Sequence, residues 1–153
     1  MSVRAVVPGG DPGEVFDHVA DFERYPEVAS NVIDCTVTRN GETAESSWRV
    51  TFRNGILRWS ERDVIDRANQ RIGFEQTDGD LALFEGEWRV HEAGEGSLVE
   101  FVADFDLGIP TLASMLDPVA ARTLASNMRE LIVGFARAAG AGQPNFEEEA
   151  IDG

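Results

Sequence analysis

The sequence predicts an α+β fold in which a curved, seven-stranded antiparallel sheet wraps around one long C-terminal helix, with two short helices after the first strand. Three observations predict it. Six strand-like segments, near 31–39, 45–53, 56–66, 70–77, 82–91 and 97–106, follow one another through turns rich in Gly, Asn and Asp, as an antiparallel meander requires. Alternation within these segments collects the large apolar residues on one face. A capped amphipathic helix comes last, and its apolar stripe needs that face to cover it.

Taken in order, the first strand, Val3 to Val7, stops at Pro8-Gly9-Gly10. Asp11 then caps a helix that begins at Pro12, where a missing N–H costs nothing. Val15, Phe16, Val19 and Ala20 give it an apolar stripe. A second short helix spans Phe22 to Val28 and is punctuated by Tyr25-Pro26. The long helix has Asp117 as cap, Pro118 as first residue and Gly140 as terminator, preceded by a helical turn at Thr111 to Leu116. Leu124, Met128, Leu131 and Phe135 recur at helical spacing, with Ala120 on the flank and Asn127 on the same side. An amide there is either a satisfied structural group or a ligand contact. From Gly142 the chain carries Gly, Gln, Pro, Asn and three consecutive glutamates without periodicity, which predicts a domain of residues 1–141 and a disordered acidic tail of residues 142–153.

The hairpins can be paired residue by residue. A type I′ turn at Asn54-Gly55 would set Phe52 against Leu57, Val50 against Trp59 and Trp48 against Glu61, leaving Arg49, Thr51 and Arg53 outside with Ser60, Arg58 and Ile56. A turn through Arg67-Ala68-Asn69-Gln70 sets Ile65 against Ile72, Asp63 against Phe74 and Glu61 against Gln76, with Arg62 outside opposite Glu75. Around Ala93-Gly94-Glu95-Gly96, Val90 pairs with Val99, Trp88 with Phe101 and Phe84 with Phe105. Glu61 and Asp63 thus join the face that carries Trp48, Trp59, Leu57, Ile65 and Phe74. An inward carboxylate near an open rim simply reaches water. Within a cavity it needs a partner or a ligand, and is then a candidate for proton transfer.

Composition excludes several function classes. With 28 acidic and 13 basic residues and a formal charge of -15, the chain lacks the basic footprint that nucleic acid or an anionic membrane requires. No apolar run approaches a membrane span, and no signal core follows the N-terminus, so a cytoplasmic protein is expected. The one cysteine, Cys35, precludes an internal disulfide and, with only His18 and His91, argues against a metal site. There is no CxxC, Gly-rich phosphate loop or GxSxG elbow.

The element order leaves a cavity between sheet and helix of the kind that holds apolar ligands. That order, with Asp21-Phe22-Glu23-Arg24-Tyr25-Pro26-Glu27, Trp59-Ser60-Glu61-Arg62, Gly86-Glu87-Trp88 and Asn127-Met128, resembles the START or birch-pollen-allergen-like helix-grip superfamily over about residues 2 to 139. Within it the likeness is to the bacterial polyketide cyclase/dehydrase group, which includes aromatase/cyclases of aromatic polyketide assembly. Lipid-binding and coenzyme-Q-binding relatives share the Phe-x-x-Tyr-Pro and Gly-x-Trp features, so these motifs specify the fold more narrowly than the activity. In the aromatase/cyclases an arginine on the strand after the long hairpin holds a polyketide carbonyl, helped by a tyrosine and polar helix residues. With Trp59 on the family tryptophan, the arginine position holds Asp63, and the registers direct its neighbour Arg62 outward. The tyrosine position falls on Val32, whereas Asn127 matches a polar position that lines the family cavity.

The resemblance implies a cofactor-independent polyketide cyclase, extending to aromatase, that folds an intermediate and closes a ring by enolisation, aldol addition and loss of water. Glu61 would shuttle protons, and Asp63 would be the second carboxylate that raises its pKa. Gln76 and Asn127 would hydrogen-bond carbonyl oxygens. Trp48, Trp59, Phe74, Phe84, Trp88, Phe101, Leu124 and Leu131 would shape the pocket. The expected partner is a hydrophobic small molecule, with an acyl carrier protein as its candidate donor. Neither cofactor nor metal is expected, and the protein would be a monomer or weak homodimer. The alternative is non-catalytic binding or transport of a polyketide, isoprenoid quinone or lipid, which needs the same cavity without acid/base chemistry. A weaker third reading is an interaction protein that uses its acidic surface.

Overall fold

A computed structural model describes residues 1–108 and 118–147. The chain begins with β1 (Ser2–Pro8), α1 (Pro12–Ala20), a 3-10 turn (Phe22–Arg24) and α2 (Tyr25–Val28). Then follow β2 (Val32–Asn40), β3 (Thr43–Phe52), β4 (Gly55–Asp66), β5 (Arg71–Gly79), β6 (Leu83–Ala93) and β7 (Gly96–Asp106). The chain continues through α3 (Pro118–Ala138) and a two-residue β8 (Asn145–Phe146). The strands form one antiparallel sheet in the order β2-β3-β4-β5-β6-β7-β1-β8. This is the expected α+β helix-grip architecture, with eight strands in place of seven. Asp11 caps α1 by accepting a hydrogen bond from Glu14 N at 3.1 Å. The Asp117 cap and the turn at 111–116 lie outside the described residues. Among the described residues, no helix is long and apolar enough to cross a membrane.

The β4–β5 and β6–β7 pairings follow the expected registers, with Glu61 opposite Gln76, Asp63 opposite Phe74 and Trp88 opposite Phe101. The β3–β4 hairpin differs by two residues. Phe52 pairs with Gly55, so Arg53 and Asn54 form the turn; Trp48 meets Trp59 and Ser46 meets Glu61. Positive φ falls on Arg53 (56°) and not on Asn54, the pattern of a type II′ rather than a type I′ turn. A shift of two preserves the side of every residue, and the binary pattern cannot distinguish the two registers. Cross-strand packing can: the indoles of Trp48 and Trp59 stack at 6.1 Å with 13° between planes.

The disorder expected from Gly142 does not extend over residues 142–147. Gly142 N donates to Pro8 O at 2.8 Å, Phe146 and Asn145 pair with Ala5 and Val6, and Glu147 N donates to Arg4 O at 2.9 Å. Arg129 lies over the Phe146 ring at 5.0 Å. The segment satisfies the otherwise open edge of β1, a gain in backbone hydrogen bonds that hydrophobic periodicity does not register. Residues 148–153 lie outside the described residues.

Helix α3 buries Leu124, Ala125, Met128, Leu131, Ile132 and Phe135. Its approach to α2 depends on Gly134, where an added Cβ would lie 2.3 Å from Val28 O. Gly134→Ala is therefore expected to destabilise the protein by about 1–3 kcal/mol, as overpacking does. The change should do so even though alanine is worth about 1 kcal/mol more than glycine inside a helix. Urea unfolding tests this: an unchanged or raised midpoint would mean that α3 does not rest on the Val28 backbone.

Candidate functional site

The site starts from a cross-strand row. Trp48 and Ser46 of β3 stand opposite Trp59 and Glu61 of β4, and Ala44 opposite Asp63. Beside Glu61 the β4–β5 ladder is interrupted, with Ser60 paired to Asp78 and Glu61 already to Gln76. Such a bulge re-aims side chains. It brings Gly79 (φ 148°) against Trp59, where a Cβ would meet Trp59 Cα at 2.6 Å. Only glycine fits there.

The polar groups on this wall form one network. Trp48 Nε1 donates to Ser46 Oγ at 2.9 Å, and Ser46 Oγ donates to Asp63 Oδ2 at 2.6 Å. Trp59 Nε1 donates to Glu61 Oε1 at 2.7 Å. Ser46 is 1% exposed, Glu61 7% and Asp63 0%. Asp63 Oδ1 has no hydrogen-bond partner among the described residues. Burial pushes the Glu61 carboxyl well above the ordinary carboxyl range; the neighbouring Asp63 carboxylate raises it further, and the Trp59 N–H opposes. Burial also raises Asp63, but Glu61, the Ser46 hydroxyl and the charge of Arg39 pull it back. Ionising either carboxyl makes ionisation of the other less favourable, and burial pushes both upward.

Stability depends on pH as a result. Below the ordinary carboxyl range, Glu61 is protonated whether folded or unfolded, and its contribution to stability is complete. As the pH rises through that range the unfolded chain releases the proton while the folded one keeps it. Stability therefore falls, by up to about 1.4 kcal/mol per pH unit, until the folded carboxyl ionises too. Glu61→Gln removes this loss, so its thermal midpoint relative to the unmodified protein should rise as the pH climbs above the ordinary carboxyl range. Glu23 and Asp34, held low by Arg39 and Arg49, act in the opposite direction but equally in both proteins. A midpoint difference that stays constant over that climb would mean that Glu61 titrates as a free carboxyl.

Glu61 faces a cavity of about 50 Å³. The sheet lines it with Trp48, Trp59, Phe74, Phe84, Trp88 and Phe101, and α3 with Leu124, Asn127 and Leu131, all of them expected there. Their rings interlock: Phe84 meets Trp59 and Phe74 edge-on at 5.4 and 5.0 Å, and Phe101 lies 4.7 Å from Trp88. Two expected residues stand elsewhere. Asp63 sits outside the lining, committed to Ser46. Gln76 turns its Nε2 to Leu81 O at 2.7 Å, holding the β5–β6 connection rather than presenting its amide to the cavity. Asn127 reaches the cavity, but its Nδ2 donates to Thr51 O at 3.2 Å.

The structure adds Phe22, Tyr25, Asn31, Val32, Val50 and Met128 to the lining, along with Ile72. Val50 and Ile72 were already legible from strand alternation, and Met128 from the helical stripe. Phe22 and Tyr25 lie in the Asp21-to-Glu27 motif, but a break between a 3-10 turn and a four-residue helix hides their direction from periodicity. The Tyr25 hydroxyl donates to Val19 O at 2.5 Å, so Tyr25 presents its ring. Asn31 Nδ2 ties β2 to α3 through Asn127 O and Glu130 Oε2, both at 3.1 Å. Among the described residues, no group of three His, Cys, Asp or Glu side chains is placed to hold a metal.

The fold is shared with proteins of known structure. The protein TTHA0849 of Thermus thermophilus superposes with a TM-score of 0.81 at 26% identity, over 91% of this chain and 97% of that one. The Zhui aromatase/cyclase of Streptomyces sp. R1128 gives 0.78 at 17% identity, over 92% and 93%. A START superfamily protein of Mycobacterium smegmatis gives 0.75 at 15% identity, over 91% and 97%. At the latter two identities the likeness is one of fold alone. No curated protein sequence matches the chain significantly. The sequence profile described as polyketide cyclase/dehydrase and lipid transport matches residues 9–132, a stretch that contains the cavity lining from Phe22 to Leu131, and the chain belongs to that family.

Proposed function

We propose that the protein is a cofactor-independent polyketide cyclase, in which Glu61 moves protons while the cavity folds a hydrophobic intermediate. The observation that carries this reading is a buried carboxyl on the wall of an apolar cavity, where burial favours its neutral form. In the proposed sequence Glu61 gives its proton to a ketone oxygen and then takes one from the adjacent methylene, which converts ketone to enol and restores the acid. The enol carbon attacks a second carbonyl carbon, a C–C bond forms, the new alkoxide takes the Glu61 proton, and the enol oxygen passes its own proton to the Glu61 carboxylate, which restores both the ketone and the acid. Removal of another methylene proton, with departure of the hydroxyl as water, completes the dehydration. Asp63, steadied by Ser46, keeps the proton on Glu61 between steps; it is a positioning residue. Substrate would arrive free or on an acyl carrier protein, in the cytoplasm.

The size of the cavity bears on this reading. Ligand sites usually hold about 300–1,000 Å³, so at 50 Å³ the cavity is much smaller than a polyketide needs, and the proposed function requires it to widen on binding. The same tight aromatic packing favours a second reading, carriage of a polyketide, isoprenoid quinone or lipid without conversion. Incubation of the purified protein with poly-β-keto thioesters and with quinones, followed by mass spectrometry of bound and released species, separates the two. A cyclised product lighter than the substrate by the mass of one water supports the cyclase; bound but unchanged ligand supports carriage.

A further inference from the structure

We infer that the cavity selects neutral ligands that carry a hydrogen-bond acceptor and rejects the corresponding carboxylates, with Glu61 as the anchoring donor and the buried Asp63 as the excluding charge. The inference rests on reading the cavity as a ligand site, and deepens it by naming the class of ligand.

Four observations carry it. Among the described residues, Glu61 is the one ionisable acid or base of the Asp, Glu, Arg, Lys or His type on the cavity wall, and the chain contains no lysine at all. Arg39, the cation whose charge reaches Asp63, is committed elsewhere: it donates to Ala20 O at 3.0 Å and Glu23 Oε1 at 2.5 Å and covers the Phe22 ring at 5.6 Å. Asp63 lies directly behind Glu61, fully buried, with Oδ1 unpartnered among the described residues. The indole N–H groups of Trp48 and Trp59 are both spent inside the wall, on Ser46 and on Glu61. A ligand oxygen arriving beside Trp48 and Trp59 therefore has the Glu61 carboxyl as its donor there. A ligand carboxylate would be a third carboxyl in an apolar space with no counterion, and an unpaired buried charge of that kind is expelled or neutralised.

Three probes of one shape test this: acetophenone, α-methylstyrene, in which CH₂ replaces the ketone oxygen, and benzoate. The three tryptophans of the chain, Trp48, Trp59 and Trp88, all line the cavity. Trp88 does not border the outer groove that Trp48 and Trp59 share with Arg49 and Arg58, so a shift of the Trp88 indole N–H signal in ¹H–¹⁵N spectra of the full-length protein reports the cavity. At neutral pH acetophenone should bind about 10-fold more tightly than α-methylstyrene, the worth of one well-placed hydrogen bond. Benzoate should bind at least about 100-fold more weakly than acetophenone, as like-charge juxtaposition demands. Glu61→Leu should bring acetophenone and α-methylstyrene level, and Asp63→Asn should narrow the gap to benzoate. Equal affinities for benzoate and acetophenone, equal affinities for acetophenone and α-methylstyrene in the unmodified protein, or a Trp88 indole signal unmoved by all three would each overturn the inference. The ranking is independent of turnover: if it is observed and no polyketide is converted, the cyclase reading fails and the selectivity stands.

Discussion

Glu61→Gln is expected to lower the rate of ring closure by about 10²-fold or more, the contribution of a positioned general acid or base, while leaving ligand affinity within a few-fold. Glutamine keeps the length and a donor at the Trp59 side of the cavity but has no proton to exchange. The network behind it should persist, since Ser46 still bridges Trp48 and Asp63 without help from position 61. Arg62→Gln is the matched control. Arg62 is exposed on the outer face opposite Glu75, where an ion pair contributes only about 0–1 kcal/mol, so turnover should change by less than about twofold. The reverse result, with Arg62→Gln inactive and Glu61→Gln silent, would assign the carbonyl-holding role of the aromatase/cyclase arginine to Arg62 and remove Glu61 from the chemistry. A rate lost with affinity retained, by contrast, separates proton transfer from carriage, because a carrier has no step that a carboxyl-to-amide exchange would slow.

The inward placement of Glu61 and Asp63 was legible because it depends on alternation, and alternation survives an error of two residues in the hairpin turn. What did not survive was the identity of the partner. Opposite Glu61 on β3 stands Ser46 rather than Trp48, and the bridge from Trp48 through Ser46 to Asp63 follows from that true register. Asn54-Gly55 is a strong turn signal, but the strand pairing answers to the stacking of Trp48 on Trp59, a long-range term that local turn chemistry does not contain. Gln76 shows the same limit differently. Its face was correct, yet the rotamer that sends its amide to Leu81 O depends on the β5–β6 connection. The edge strand at Asn145–Phe146 was illegible because two residues carry no period. Its cause, the open edge of β1, lies at the other end of the sequence, at Ala5 and Val6.

Leu131→Asp is expected to destabilise the protein by about 3–5 kcal/mol, the range for a buried charge left without a partner. Leu131 is 3% exposed and faces the cavity from α3, across from a wall that already holds Glu61 with Asp63 behind it. The introduced carboxyl would find no cation among the lining residues and would add a third acidic group to the same apolar space. Urea unfolding should show a midpoint well below that of the unmodified protein, with the m-value nearly unchanged because the surface exposed on unfolding is the same. Leu131→Met, which conserves volume and polarity, should cost less than about 1.5 kcal/mol. The pH dependence distinguishes charge from shape. Burial raises the folded-state pKa of the introduced carboxyl above its unfolded value, so the electrostatic part of the penalty is absent below the unfolded pKa, grows as the pH rises from there to the folded pKa, and is complete above it. The two midpoints should therefore draw together in acid, leaving only the packing loss. A midpoint unchanged at neutral pH would place position 131 in water, turn the other face of α3 toward the sheet, and take Leu124 and Asn127 out of the cavity with it.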